Sequence, residues 1–327
     1  MICGFIDAMR ADGYGVESIC EVLQAQGLPV APRSYRSWKR RAPSDRTVTD
    51  ALIVDKLRAL KTGGMDGRPA PEVLYGRRKM TAWLARKGFP GVSKHTVDRL
   101  MRAERMNGCV RGRGVRTTSP ARTGAIRAAD LLKRCFSSPR PNHAWVTDFT
   151  YVPTWCGFVY VAFAIDLFSR AIVGWSVSTV KDVTFVEECL KMALWRRDHT
   201  GRPVLAGMIH HSDAGSQYTS IRFTETLALE GLAASIGTVG DALDNAAAET
   251  VIGLYKYEAV AAGSPFRTGP LRHLADVETL TMHYVHWYNN DRLHSELGYL
   301  SPEEYEQAYY ATLDTGPSAG TPEDQPA

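Results

Sequence analysis

The 327-residue sequence predicts an α/β protein, a mixed β-sheet flanked by helices and preceded by an all-α N-terminal region. Three observations carry that expectation. The first hundred residues read as pairs of short helices with apolar residues at helical spacing. From about Pro141 three β-rich runs follow one another in quick succession, punctuated by turn residues. After them helix and strand alternate, an order that covers both faces of a sheet.

The helical region opens with helices expected over residues 16–26 and 32–41, joined by Gly27-Leu28-Pro29. The second bears Arg33, Arg36, Lys39, Arg40 and Arg41 around Tyr35 and Trp38. Helix, tight turn and basic helix is the outline of a helix-turn-helix, and Arg33, Arg36 and Lys39 are its candidate DNA contacts. A third helix is expected over 48–61. A loop by composition, Thr62 to Pro71, leads to a second helical pair over 77–87 and 94–105, separated by Gly88-Phe89-Pro90-Gly91. Ser93 is placed to cap the last of these, whose Lys94, Arg99 and Arg102 are candidate phosphate contacts. Arg111 to Pro120, Gly-rich and basic, reads as a linker able to lie along a DNA backbone.

Strands are then expected over 144–153, Gly157–Asp166 and 171–178, a helix over 183–197, a strand over 204–211 and a helix over Ile221–Leu229. A strand over 233–239 and a helix over 246–261 complete the series, which is the order of a ribonuclease H-like fold. A helix around 271–290 and a short one after Ser301-Pro302 close the chain. The domains expected are 1–66 and 67–120, both helix-turn-helix-like and the second ending in the linker. A ribonuclease H-like core at 137–262, a C-terminal helical extension at 263–310 and a disordered tail at 311–327 follow.

Composition narrows the function classes. Apolar residues make up 44% and charged residues 23%, ordinary for a soluble globular protein, and no run approaches eighteen apolar residues. The N-terminus lacks the basic start and small-residue cleavage site of a signal peptide, so a cytoplasmic, nucleoid-associated protein is expected. Six scattered cysteines (3, 20, 109, 135, 156 and 189) show no zinc-ligand spacing and are read as reduced thiols. Residues 1–120 hold 23 Lys+Arg against 11 Asp+Glu, a net of +12, whereas the remainder is −8. A basic N-terminal third suits a polyanion, and an acidic remainder suits divalent cations.

Three carboxylates stand out against that frame. Asp148 falls mid-strand in Trp145-Val-Thr-Asp-Phe-Thr-Tyr151, where a charge amid Trp145, Val146, Phe149 and Val152 is costly to bury without a ligand. Asp213 ends the fourth strand in His211-Ser-Asp-Ala-Gly-Ser-Gln-Tyr218, and Glu249 lies in the first turns of the helix opened by Asp244-Asn245. Any one such acid reads as a cap, turn or surface residue; the triple, on strands one and four and the helix after strand five, reads as one site. Oxygen ligands of this kind suit hard cations such as magnesium. Two ions held there clamp the attacking and leaving oxygens of a phosphoryl transfer.

The words around these acids resemble the OrfB-type DDE transposases of the IS-three insertion-sequence family, whose catalytic core is retroviral integrase-like. The resemblance rests on residues 145–151 and 211–218, on Asp244-Asn-Ala-Ala-Ala-Glu249, and on the 35 residues separating Asp213 from Glu249. Tyr288-Asn-Asn-Asp-Arg-Leu-His-Ser-Glu-Leu-Gly-Tyr299, with Ser301, Pro302 and Tyr305, resembles the family's C-terminal signature. It covers about residues 75–305. Departures are Ala214, often Arg in relatives, and a longer Gly-rich insert before Tyr75.

The resemblance implies Asp148, Asp213 and Glu249 as catalytic residues and ligands of two Mg2+ ions, with Mn2+ as a substitute. Lys256, seven residues past Glu249, would contact the DNA end from the same helical face. It implies cleavage and strand transfer at the terminal repeats of an insertion sequence into target DNA. It also implies a homo-oligomer on DNA and a frameshift-fused partner reading frame. Two other readings compete, a catalytically silent DNA-binding regulator and a nuclease acting on RNA–DNA hybrids.

Neighbouring residues carry plainer expectations. Of His210 and His211, one is expected to pack in the strand and the other to face solvent, since hard-metal sites prefer oxygen. Tyr284, Trp287 and Tyr288 are expected to pack the last long helix on the core rather than stack on bases. Asn245 is expected to cap its helix. Ser216 and Gln217 are candidates for phosphate contacts or for a structural role.

Overall fold

The computed structural model describes residues 2–109, 130–132, 136–213, 215, 217–237 and 245–314. The basic linker at 111–120, Ala214, Ser216 and residues 315–327 lie outside the described residues. The chain divides into two compact units, residues 1–55 and 56–327.

In the first unit, α1 (Ile2–Ala11), α2 (Val16–Ala25) and α3 (Pro32–Arg40) gather around Ile6, Ile19, Cys20, Leu23, Val30 and Tyr35. The Tyr35 hydroxyl donates to Asp7 Oδ1 at 2.7 Å. Helix α1 goes beyond the two helices expected here. Ten residues containing Gly4 make a weak helix alone, and it is the packing of Ile6, fully buried, that supplies its stability. Helix α4 (Asp45–Ala59) runs across the division and begins three residues earlier than expected.

In the second unit, α5 (Arg77–Arg86) and α6 (Lys94–Ala103) form the expected pair, burying Met80, Leu84, Val97, Leu100 and Met101. Ser93 caps α6 as expected, its side chain accepting from the Thr96 amide. Glu104 then accepts from Arg58 at 2.8 Å and Lys61 at 3.3 Å.

The sheet has the order β3-β2-β1-β4-β5. Strands β1 (Ala144–Thr154), β2 (Gly157–Asp166) and β3 (Ile172–Ser178) form an antiparallel meander. Strands β4 (Ile209–Ser212) and β5 (Ala233–Ile236) add in parallel beside β1. The mixed sheet flanked by helices is the expected fold class. Strand β4 starts at Ile209 and not at 204, because Leu205 to Met208 form a turn in which Gly207 takes φ +85°.

Helices α7 (Val183–His199) and α8 (Ile221–Leu229) share a core with Trp145, Ala162 and Ala164. Alternation along β2 sends Phe163 elsewhere, against Tyr255 of α9 (Ala246–Tyr255) at 5.1 Å between ring centroids. Tyr255 meets Tyr284 of α10 (Leu274–Asn290) at 5.4 Å. Tyr284, Trp287 and Tyr288 are all buried, as the packing expectation required. Helix α11 (Pro302–Asp314) continues four residues past the 310 boundary, so the start of the expected disordered tail is helical. None of the helices among the described residues is long and apolar enough to cross a membrane.

A buried ionic knot ties β2, α7 and α11 together. Arg197 donates to both oxygens of Glu306 at 2.6 and 2.7 Å and to Asp166 Oδ2 at 3.4 Å. Asp166, fully buried, also accepts from the Asn142 amide and the Trp145 indole. Removing the cation strands Asp166 out of water and leaves Glu306 with Arg202 as its remaining ion-pair partner, so R197M is expected to lower unfolding stability by about 3–5 kcal/mol. R197M/E306M is expected to recover part of that loss. Urea denaturation of both variants measures the two effects, and an unchanged R197M midpoint would contradict them.

Candidate active site

The parallel pairing of β1 with β4 sets the site. Val146 lies opposite His211 and Thr147 opposite Ser212, so Asp148 and Asp213 each come one step past the last paired residues on neighbouring strands. Asp148 Oδ1 accepts from the Phe149 amide at 2.8 Å. Asp213 Oδ1 accepts from the Gly215 amide at 3.0 Å. A Cβ at 215 would stand 2.9 Å from the same carboxylate oxygen and would displace it.

Helix α9 brings the third acid. Glu249 lies in its first turn and is exposed. Asn245 occupies the N-cap position as expected, yet its side chain makes no capping bond. Its Nδ2 donates instead to Thr147 O at 3.0 Å, fastening the start of α9 to β1 beside Asp148.

The three carboxylates lie within one another's fields. Burial, then the charges of Asp213 and Glu249, push the Asp148 carboxyl up to about 8, against the Phe149 amide and Lys256. Burial raises Asp213 as well, opposed by the Gly215 amide, Lys181 and His211. Glu249 is raised by burial and then by Asp213. Oxygen donors whose ionisation is disfavoured by burial and by one another's charge at Asp148 are the donor set a hard divalent cation discharges. Yet among the described residues no three His, Cys, Asp or Glu side chains stand close enough to grip a metal ion as they are.

Lys256 joins this group. Its Nζ lies 5.2 Å from the Tyr151 ring centroid, and its charge is felt at Asp148. The helix expected over 246–261 is regular only to Tyr255; Lys256–Val260 form a π turn, closed by the Ala261 amide on Lys256 O at 3.0 Å. That turn leaves Lys256 exposed and Glu258 buried, where Arg292 donates to its two oxygens at 2.7 and 2.8 Å.

The other basic candidates lie on other elements. On α3, Arg33 is exposed, Arg36 pairs with Glu17 and Lys39 with Asp7 at 3.1 Å. On α6, Lys94 and Arg99 are exposed, and Arg102 pairs with Asp98 at 2.9 Å.

Two expectations change. Neither His210 nor His211 faces solvent, since β4 lies between β1 and β5 and both are about 1% exposed. Burial, then His211, lowers His210 to about 3 and keeps it neutral, while His211 Nδ1 lies 2.8 Å from Ser235 Oγ. Gln217 is buried, its Nε2 donating to Lys181 O at 3.4 Å. Sequence reasoning passed over Lys181 altogether. It sits between β3 and α7, and nothing along the chain connects it to Asp213; only folding does.

Comparison with known proteins bears on what this arrangement serves. The chain matches the integrase core domain family over residues 138–242 and again over 230–302, and the HTH-like domain family over 68–114. It is 41% identical over 309 residues to the transposase for insertion sequence element IS629 of Shigella sonnei, covering 94% of this chain and 96% of that one. It is 32% identical over 269 residues to the transposase for insertion sequence element IS904 of Lactococcus lactis, covering 82% and 98%. The magnesium-bound integrase catalytic core of HTLV-2 aligns with 51% of this chain and 98% of its own, at 17% identity and a TM-score of 0.37, too loosely to bear on the assignment. The expected frameshift-fused partner gains no support from these relatives. With an integrase-type core and an HTH-like domain in one chain, and such identity along nearly its whole length, the protein belongs to the transposases of bacterial insertion sequences.

Proposed function

We propose that the protein cuts and joins DNA at the ends of its insertion sequence by two-metal phosphoryl transfer, with Asp148, Asp213 and Glu249 as the metal ligands. One observation supports this above the others: the β1–β4 pairing brings Asp148 beside Asp213, and the charges of Asp213 and Glu249 both raise the buried Asp148 carboxyl. Magnesium bound by such ligands, with manganese as a substitute, activates an attacking oxygen and stabilises a leaving one.

The chain's own residues do the rest. Phe149 and Gly215 amides hold Asp148 and Asp213 by one oxygen each and leave the other oxygen for an incoming cation. Asn245 keeps Glu249 over the strand ends through Thr147. The exposure of Glu249 and Lys256 leaves room for a duplex, and Lys256 binds the DNA end near the scissile phosphate. The helical regions at 1–66 and 67–120 hold DNA through Arg33, Arg36, Lys39, Lys94, Arg99 and Arg102, and the core at 137–262 performs the chemistry. The partners are the terminal repeats and the target duplex, with further copies of the chain, since two ends must be joined; the setting is the bacterial cytoplasm. Retention of all three carboxylates with Lys256 counts against a silent regulator.

Glu249 is exposed, so E249Q is expected to fold normally. Strand transfer of a terminal-repeat duplex is expected to fall by more than ~100-fold, since loss of an outer partner of a metal ligand alone costs about 10–100-fold. Activity equal to wild type would remove Glu249 from the mechanism. EDTA is expected to abolish strand transfer and added Mg2+ to restore it; activity persisting in EDTA would sink the metal-dependent reading.

A third outcome concerns stability without metal. The Asp148 carboxyl is raised in the folded state, so the stability present below its ordinary value of 3.8 is lost as pH rises towards about 8. D148N lacks that loss. Its metal-free melting temperature is expected to exceed that of wild type by a margin that widens from about pH 4 to about pH 8, while strand transfer disappears. A margin independent of pH would contradict the burial of the Asp148 charge.

A further inference from the structure

Lys181 precedes Asp182, whose side chain caps α7 by accepting from the Phe185 amide at 3.0 Å. Three observations bring it to the candidate active site. Its Nζ lies 4.6 Å from the ring centroid of Phe149, the residue after Asp148. Its backbone oxygen accepts from Gln217, four residues past Asp213. Its charge is felt at Asp213.

Lys256 has a comparable seat. Its ammonium rests on the Tyr151 ring, two residues along β1 from Phe149, and acts on Asp148. Two lysines whose charges reach the carboxylates are therefore each seated on an aromatic ring of the same strand.

The seating matters physically. A ring under the ammonium steers a flexible four-carbon stem at little cost in hydration, so less entropy remains to be lost when a ligand arrives. Lys181 is exposed, and its charge acts on Asp213 without an ion pair between them among the described residues. Its ammonium donors are not taken up by Asp213. An exposed point charge with several donors suits a phosphate, which it meets from any angle, whereas a planar fork demands one geometry.

We propose that Lys181 binds a backbone phosphate of the DNA beside Asp213, as a second lysine contact in addition to Lys256. Such a contact fixes where the strand lies and is indifferent to its sequence. The proposal rests on the reading of this site as the one that cuts DNA.

The test measures binding of a duplex carrying the element's terminal repeat by the full chain, across a salt series, in Ca2+. K181M keeps an unbranched stem on Phe149 and removes the charge. It is expected to bind several-fold more weakly, with the slope of log affinity against log salt reduced by about 0.9, the share of one phosphate. K181R is expected to restore both, and K191M, an exposed lysine further along α7, to change neither. K181M binding with the affinity and slope of wild type would overturn the proposal, as would a K181M defect confined to the metal concentration required, which would make Lys181 a partner of Asp213 alone. Failure of the wild-type chain to bind the duplex would overturn the transposition reading and this proposal with it; wild-type binding with an unaffected K181M would overturn this proposal only.

Discussion

Every feature of the site depends on one backbone pairing, the four-residue parallel ladder between β1 and β4. It places two aspartates from distant parts of the chain at neighbouring strand ends. A slip of one residue in this ladder would turn one of the acids to the opposite face of the sheet. The register is held from several directions. Trp145 and the β4 histidines are buried in the sheet's core, and β5 continues the ladder on the far side. Thr147 O, in the last paired position, also receives the amide that anchors α9. The same few residues therefore locate all three carboxylates.

Charge is distributed through the second unit in two contrasting ways. Away from the site, buried acids are neutralised by arginines with good geometry, as in Arg197 with Glu306 and Arg292 with Glu258. At the site no arginine among the described residues pairs with the three acids, and the burial of Asp148 outweighs the Phe149 amide and Lys256. Such a group costs stability, and the surrounding scaffold carries that cost. The cations felt at the two aspartates include Lys181 and Lys256, each resting on an aromatic ring.

Much of this was legible in the chain. Asp148, Asp213 and Glu249 stood in recognisable words, and the alternation of strand and helix put them on the right elements. What the sequence withheld were consequences of three-dimensional crowding. The two histidines of β4 carry no mark of being central in the sheet, and only the addition of β5 seals both. Asn245 has the residue type and position of a cap, but its side chain is held by the bond its Nδ2 donates to a carbonyl of β1, and its Oδ1 does not cap the helix. Lys181 and Asp213 lie on separate elements, and their proximity follows from the packing of α7 on β3 and β2, with the loop before it bonded to Gln217. Helix α1 was overlooked because its stability comes from Ile6 in a shared core and not from its own residues.

The π turn after α9 has a consequence for how the molecule tolerates change. Within three residues the chain passes from a lysine that faces outward to a glutamate locked to Arg292 in the interior. The extra residue in the turn acts as a clutch between them. A displacement of Arg292 would reach Glu258 and be taken up in the wide turn before it reached Glu249, so the turn separates the buried ion pair from the first turn of α9.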